Sequence, residues 1–244
     1  MVGEAFGAVD PEAAARQVAR VLSLDHDGAG FPAVGERDPV IGRLQARFPG
    51  LRPVLFFSPY EAAAWTLIGH RVRIAQAARV KQRLAEEVGE VVDIHGDVRH
   101  AFPTPQRLAG LDSFPGLFGR KPEWLRALAA AAIEGQLDPD QLRAKDHEEA
   151  LAGLKRLPGI GDFSAELVFL RGAGVRDVVP VHERRLRRAV ALAYGLDREP
   201  GVEDLRRIAE AWRPYRTWVS VLLRSFLEQE TGEISRGGTR AERR

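Results

Sequence analysis

The tetrapeptide Pro158-Gly159-Ile160-Gly161 interrupts a chain that is helical on both sides of it. Before it, Glu148 to Arg156 places Ala150, Leu151, Leu154 and Leu157 on one apolar face. After it, Phe163 to Arg171 reads as a second helix, with Ala165, Leu167, Val168 and Phe169 available for packing. Proline and two glycines cannot continue a helix, and the glycines let the backbone turn tightly and come close to a partner. An ordinary αα-hairpin is one reading of the pattern. The other is a helix-hairpin-helix, whose turn and helix N-terminal N–H groups hold a DNA phosphate without reading sequence.

Composition narrows the class. The 244 residues allow one large or two small domains, and 45% hydrophobic residues suffice for a core. The chain has no cysteine, so disulfides, zinc–thiolate sites and cysteine-bound iron–sulfur clusters are excluded. No stretch approaches 18 uncharged apolar residues, so no transmembrane helix and no membrane partner are expected. The first residues lack a basic flank followed by an apolar run, and a cytoplasmic protein is expected. Asp138 and Asp140 read as loop punctuation and not as a metal site. Only four of the 36 basic residues are lysine, and heavy Arg, Ala and Gly usage fits a GC-rich bacterial genome. Between 171 and 188, six arginines face only Asp177 and Glu183, a net +4 beside the hairpin. That cluster suggests a nucleic-acid surface, or else a solvated helix face.

Helical patterning covers nearly all of the chain. Helices are expected over 11–22, 39–48, from 59 after a Ser58/Glu61 capping box, and over 74–88. Others are expected up to Leu108 and over 121–135, 138–143, 183–194, 202–212 and 215–230. Residues 25–36 and 173–181 read as loops. Residues 91–98 are the single β-like stretch, a loop or hairpin fragment. Residues 231–244 are polar and basic and are expected to be disordered. The class is all-α.

From about Asp25 to Leu227 the chain resembles the helix-hairpin-helix base-excision DNA glycosylases, most of all the bacterial 3-methyladenine DNA glycosylase II branch. The resemblance is carried by Pro59-Tyr60-Glu61-Ala62 to Gly69, Phe102-Pro103-Thr104-Pro105, Leu157-Pro158-Gly159-Ile160-Gly161, Leu170-Arg171-Gly172, Asp177-Val178-Val179-Pro180 and Trp212-Arg213-Pro214-Tyr215-Arg216. It implies two helical bundles with a DNA-binding cleft between them. Residues 58–172 would form the bundle with the hairpin, and 10–57 plus 173–230 the second. The mixed α/β domain that precedes this core in larger members is expected to be absent.

The implied partner is double-stranded DNA with a damaged, alkylated base, bound by a monomer. The implied activity is hydrolysis of the bond from sugar C1′ to the base nitrogen, through a transition state resembling an oxocarbenium cation. A carboxylate beside C1′ stabilises that charge and orients water. The nucleotide must first be flipped out of the duplex, and aromatic faces attract an electron-poor alkylated purine. Hairpin contacts are implied for Leu157, Gly159, Ile160, Gly161 and Ser164. No cofactor is implied beyond a monovalent cation, Na⁺ or K⁺, on the backbone carbonyls of Leu157 and Gly159.

The family's catalytic aspartate lies twenty residues after the first aromatic of the second hairpin helix, and counting from Phe163 gives Glu183, with His182 one residue off. The extra methylene moves the carboxylate by about 1.5 Å. A first-turn helix acid is the plainer reading of Glu183. Bifunctional relatives carry a Schiff-base lysine where Phe163 stands, so a monofunctional enzyme is implied. The base pocket falls on Phe163, Leu167, His182, Trp218 and Arg224, and the wedge on Arg71. Arg224 stands at a pocket tryptophan's position, where an unpaired cation would repel a cationic base. Phe163 and Trp218 also fit as core residues. A non-catalytic DNA-binding protein that keeps the scaffold is the alternative to an enzyme.

Overall fold

A computed structural model describes residues 10–232. In chain order its first α-helices are α1 (Pro11–Val21), α2 (Pro32–Arg37), α3 (Pro39–Arg47), α4 (Pro59–Gly69) and α5 (Ile74–Val88). The strands β1 (Val91–Ile94) and β2 (Asp97–His100) follow. Then come α6 (Pro105–Ala109), α7 (Lys121–Ile133), α8 (Pro139–Ala144), α9 (His147–Lys155) and α10 (Asp162–Leu167). Last are α11 (Arg184–Tyr194), α12 (Val202–Ala209) and α13 (Arg216–Thr231). The described residues are therefore all-α apart from one antiparallel hairpin, in register Val91↔His100 to Ile94↔Asp97. His95 and Gly96 turn it with positive φ, as a two-residue hairpin turn requires.

The chain divides into two compact units, one of residues 10–25 and 54–174, the other of 26–53 and 175–232. In the first, α4 is the central helix. It buries Tyr60, Ala62, Ala63, Ala64, Leu67 and Ile68, apolar nearly all round as a core helix must be. Ser58 caps it, its Oγ accepting the Glu61 N–H at 3.1 Å. The expected return bond of a capping box is replaced: the Glu61 carboxylate pairs with Lys81 Nζ at 2.9 Å.

Residues 10–25 and 54–57 differ from expectation, since they belong with the hairpin unit. The cause is Arg20, buried although charged. Its guanidinium donates to the Gly172 carbonyl at 2.7 Å, to Phe56 O at 3.1 Å and to Phe57 O. Leu55 N–H adds a bond to Val21 O at 2.8 Å, and Phe56 N–H one to Arg171 O at 2.8 Å. Gly172 is required here, because a Cβ would stand 2.8 Å from Pro59 Cα. The second hairpin helix also departs from expectation: α10 ends at Leu167 and continues as a π-helical stretch over Val168–Ala173.

The second unit packs α2, α3, α11, α12 and α13 around Leu186, Leu205, Trp212, Val219, Leu222 and Leu223. Asp38 organises it from within. Its Oδ1 accepts the Val40 and Ile41 N–H groups at 3.0 and 3.3 Å, capping α3. Its Oδ2 accepts Tyr194 OH and Trp212 Nε1–H, the latter at 3.2 Å. Burial first, then the Asp38 bond, pushes the Tyr194 phenol above its ordinary range. α2 overlaps the 25–36 stretch read as loop, where Pro32 starts a helix of six residues that buries Val34. α13 runs to Thr231 and is closed by Gly232 in the left-handed conformation. The rest of the expected disordered tail lies outside the described residues.

Asp38→Ala should destabilise the second unit by about 2–4 kcal/mol, through one lost helix cap and the Tyr194 hydroxyl left without its acceptor, while Trp212 Nε1–H keeps its bond to Tyr194 OH at 3.0 Å. Urea unfolding of this variant beside Asp38→Asn, which keeps one acceptor and should lose less, checks the expectation. Parental stability of Asp38→Ala would refute it.

Candidate active site and nucleic-acid interface

The sequence-derived site residues fall into both units, and each group is built separately. The hairpin, Phe163, Leu167 and Arg71 belong to the first unit, and His182, Glu183, Trp218 and Arg224 to the second.

In the hairpin, α9 ends at Lys155 and the chain turns through Gly159 at φ +82°. The turn closes with the Ile160 N–H donating to the Leu157 carbonyl at 3.1 Å. One lone pair of that carbonyl stays available to a cation. Gly159 has a steric reason as well, since a Cβ there would come within 2.7 Å of Trp124 and Leu67. Gly161 differs: nothing lies within 4 Å of a Cβ built on it. It precedes α10 without any side-chain cap, so its N-terminal N–H groups are offered outward. Asp162 on that first turn pairs with Lys155 at 2.9 Å, which offsets the acid's charge beside the N–H groups.

Ile160 is buried and anchors the turn, while Phe163 is 45% exposed. Phe163 and the half-buried Leu167 lie one helical turn apart on α10. Phe163 is thus no core residue. Arg71 is exposed and holds φ +55°, a conformation that L side chains rarely adopt. Its neighbour His70 stands edge-on to Trp124 at 5.5 Å, and Trp124 is the ring that backs Gly159. The turn at Arg71 and the hairpin therefore share one packing partner, Trp124, which no motif in the sequence marked.

Glu183 is the N-cap of α11 rather than a residue of its first turn. Its Oε1 accepts the Arg185 N–H at 3.0 Å, and its Oε2 accepts Arg224 Nη1–H at 2.7 Å. A carboxylate has about four lone-pair positions, so two remain for a substrate or a water molecule. The Glu183 side chain is 14% exposed, shielded yet reachable. His182 beside it is exposed.

The segment that carries Glu183 has no regular structure and is pinned to the start of α13. Thr217 N–H donates to Arg176 O at 3.0 Å, and Val178 N–H donates to Thr217 Oγ1 at 3.2 Å. Thr217 Oγ1 in turn donates to Val178 O at 2.9 Å. Asp177 accepts Arg216 Nε–H at 2.8 Å and the Arg216 backbone N–H at 3.2 Å. Two turns further along α13, Arg224 reaches Glu183.

Trp218 corrects the expected base pocket. It is 2% exposed, packed on Phe31 at 5.4 Å and Tyr215 at 5.2 Å with the Arg52 guanidinium 5.2 Å from its ring. Its ring faces the second unit's core, and none of it is free for a base. Asp138, as expected, is punctuation: it caps α8 through the Asp140 and Gln141 N–H groups. Among the described residues no helix is long and apolar enough to cross a membrane.

No family model matches the chain. It is similar to a DNA-3-methyladenine glycosylase of Bacillus subtilis (strain 168), 22% identical over 206 residues, covering 83% of this chain and 68% of that one. It is 34% identical over 184 residues to DNA-3-methyladenine glycosylase 2 of Escherichia coli (strain K12), covering 73% of this chain and 61% of that one. The solved 3-methyladenine DNA-glycosylase from Archaeoglobus fulgidus superposes with a TM-score of 0.76 at 25% identity, over 94% of this chain and 78% of that one. In sequence and fold the chain is thus similar to the 3-methyladenine DNA glycosylases.

Glu228 is the neighbour of the candidate site that sequence reading missed. Its carboxylate accepts from Arg224 Nη2 at 3.0 Å. The i,i+4 spacing from Arg224 was the available signal.

The two hairpin glycines should separate fold from binding. Gly159→Ala meets Trp124 and Leu67 at a left-handed φ and should lower the first unit's stability by about 2 kcal/mol. Gly161→Val meets nothing, so it should fold as the parent does and weaken duplex binding regardless of sequence. Thermal melts and fluorescence anisotropy at low salt check both. A Gly161→Val protein with parental duplex affinity would remove the hairpin from DNA binding.

Proposed function

We propose that the protein is a monofunctional DNA glycosylase of base-excision repair that removes damaged, alkylated bases from duplex DNA. The observation that carries the reading is Glu183: a shielded, oriented carboxylate, twenty residues after Phe163, with two lone-pair positions unused. The similarity to named 3-methyladenine glycosylases supports the substrate class. The active form is a monomer acting on a flipped-out nucleotide.

In this reading the hairpin N–H groups of the first unit grip a phosphate of the damaged strand. The Leu157 and Gly159 carbonyls are the groups that would hold a monovalent cation beneath it, supplying positive charge near that phosphate. Arg71, already set in a tight turn, enters the stack in place of the departing nucleotide. Phe163 and Leu167 offer an aromatic and an aliphatic face to the base. The C1′–N bond then breaks with its electron pair leaving on the base, and Glu183 faces the positive charge that develops on the sugar. Water adds to C1′ and loses a proton, with Glu183 orienting it. Phe163 has no amine to form a Schiff base, so the product is an intact abasic strand.

Glu183→Gln removes the charge at constant shape. Base release from methylated DNA should fall about 10²–10³-fold, the usual worth of such an electrostatic group. Duplex affinity should hold or rise slightly as repulsion with phosphate is lost. Chromatography of the freed bases measures the first, anisotropy the second. Release at the parental rate would take Glu183 out of the mechanism and turn attention to His182. A parent that frees no base at all would favour a DNA-binding protein without chemistry.

A further inference from the structure

We propose that Arg224 is the positioning residue for Glu183, itself held by Glu228, so that a three-charge relay fixes the reacting carboxylate and leaves it net negative. The inference rests on the reading of Glu183 given above.

Arg224 lies between two acids. Nη1 donates to Glu183 Oε2 at 2.7 Å and Nη2 donates to Glu228 Oε1 at 3.0 Å. The three side chains are only 14%, 22% and 23% exposed, so solvent screens them less than it does a surface pair. The Arg224 Nε is buried and makes no hydrogen bond. An unmet buried donor costs stability, so packing alone does not explain an arginine here. Leucine or methionine would fill the same space without that cost.

Two problems posed by the sequence are met together. A Glu side chain has one more rotatable bond than Asp and so more positions for its carboxylate. Bonds to the Arg185 N–H and to a planar guanidinium restrict it to one. A guanidinium beside the carboxylate would also cancel the charge that the sugar cation needs. Glu228 offsets it, and the relay of two acids and one base carries −1. The same arithmetic removes the expected repulsion of a cationic base by Arg224.

The test measures single-turnover base release from methylated duplex DNA, with affinity for undamaged duplex as the check on folding. Arg224→Ala should lose about a hundredfold in rate, the order expected for a misplaced reacting group, at unchanged affinity. Arg224→Lys keeps the charge without the planar fork and should recover only part. Methylguanidinium in solution should raise the rate of Arg224→Ala and leave the double variant Arg224→Ala/Glu183→Gln unmoved. A parental rate for Arg224→Ala, or the same proportional loss when Glu183 is already Gln, overturns the proposal. Should Arg224→Ala fail to fold, Glu228→Gln decides: a several-fold slower release supports the relay and a parental rate overturns it. If the parent releases no base, the glycosylase reading fails, and backbone amide exchange at Arg185 tests the positioning alone. Faster exchange in Arg224→Ala than in the parent supports it, and equal exchange overturns it.

Discussion

A reacting carboxylate has to sit at the end of an irregular segment, and irregular backbone has polar groups that a helix would satisfy internally. Between 175 and 183 this chain solves that problem with the first turn of α13. Arg176 O and both polar groups of Val178 bond to Thr217, and Asp177 takes the Arg216 backbone and guanidinium. The segment is thus held as firmly as a strand in a ladder, without a sheet. α13 serves three purposes at once. Its first turn anchors the segment, its buried face carries Trp218, Leu222 and Leu223, and its third turn presents Arg224 to Glu183. Everything proposed about catalysis depends on that one helix keeping its place in the second unit's core.

Local chemistry was the legible part of the sequence. The Ser58 cap, the proline-started helices, the Gly159 turn and the all-α class all follow from interactions within a few residues of one another. The count from Phe163 to Glu183 was legible only through family resemblance. What could not be read was long-range. Arg20 looked like any helix arginine, and nothing local says that its partners are carbonyls 36 to 152 residues away. Asp38 caps α3 with one oxygen, and nothing local says that its second oxygen serves Tyr194 and Trp212. Trp218 matched an aromatic pocket position equally well as a core position, and only packing against Phe31 and Tyr215 decides between them.

The distribution of charge follows the same logic on a larger scale. The chain is arginine-rich with a net charge of only +2. Many arginines are spent on internal carbonyls or on acids: Arg20 on Gly172, Arg107 on Val88 and Gly89, Arg143 on Asp25, Arg216 on Asp177. A guanidinium with five donors in a plane suits such work better than an ammonium. Within residues 171–188 the two acids, Asp177 and Glu183, are paired with Arg216 and Arg224 from outside the segment, so they do not neutralise the six arginines counted beside them.

The attachment of α1 to the hairpin unit has a consequence for how the chain is made. The Arg20 guanidinium finds its buried carbonyl partner at Gly172, 152 residues downstream. On the ribosome the first helix therefore emerges long before the groups that will receive it, and it waits while residues 26–53, which belong elsewhere, are synthesised and pass. Loop closure over that span is slow relative to local helix formation. The first unit is completed only when the π-helical stretch after α10 exists, and the second only when α13 does. Neither half has a continuous stretch of sequence of its own, so the order of synthesis and the order of assembly are different.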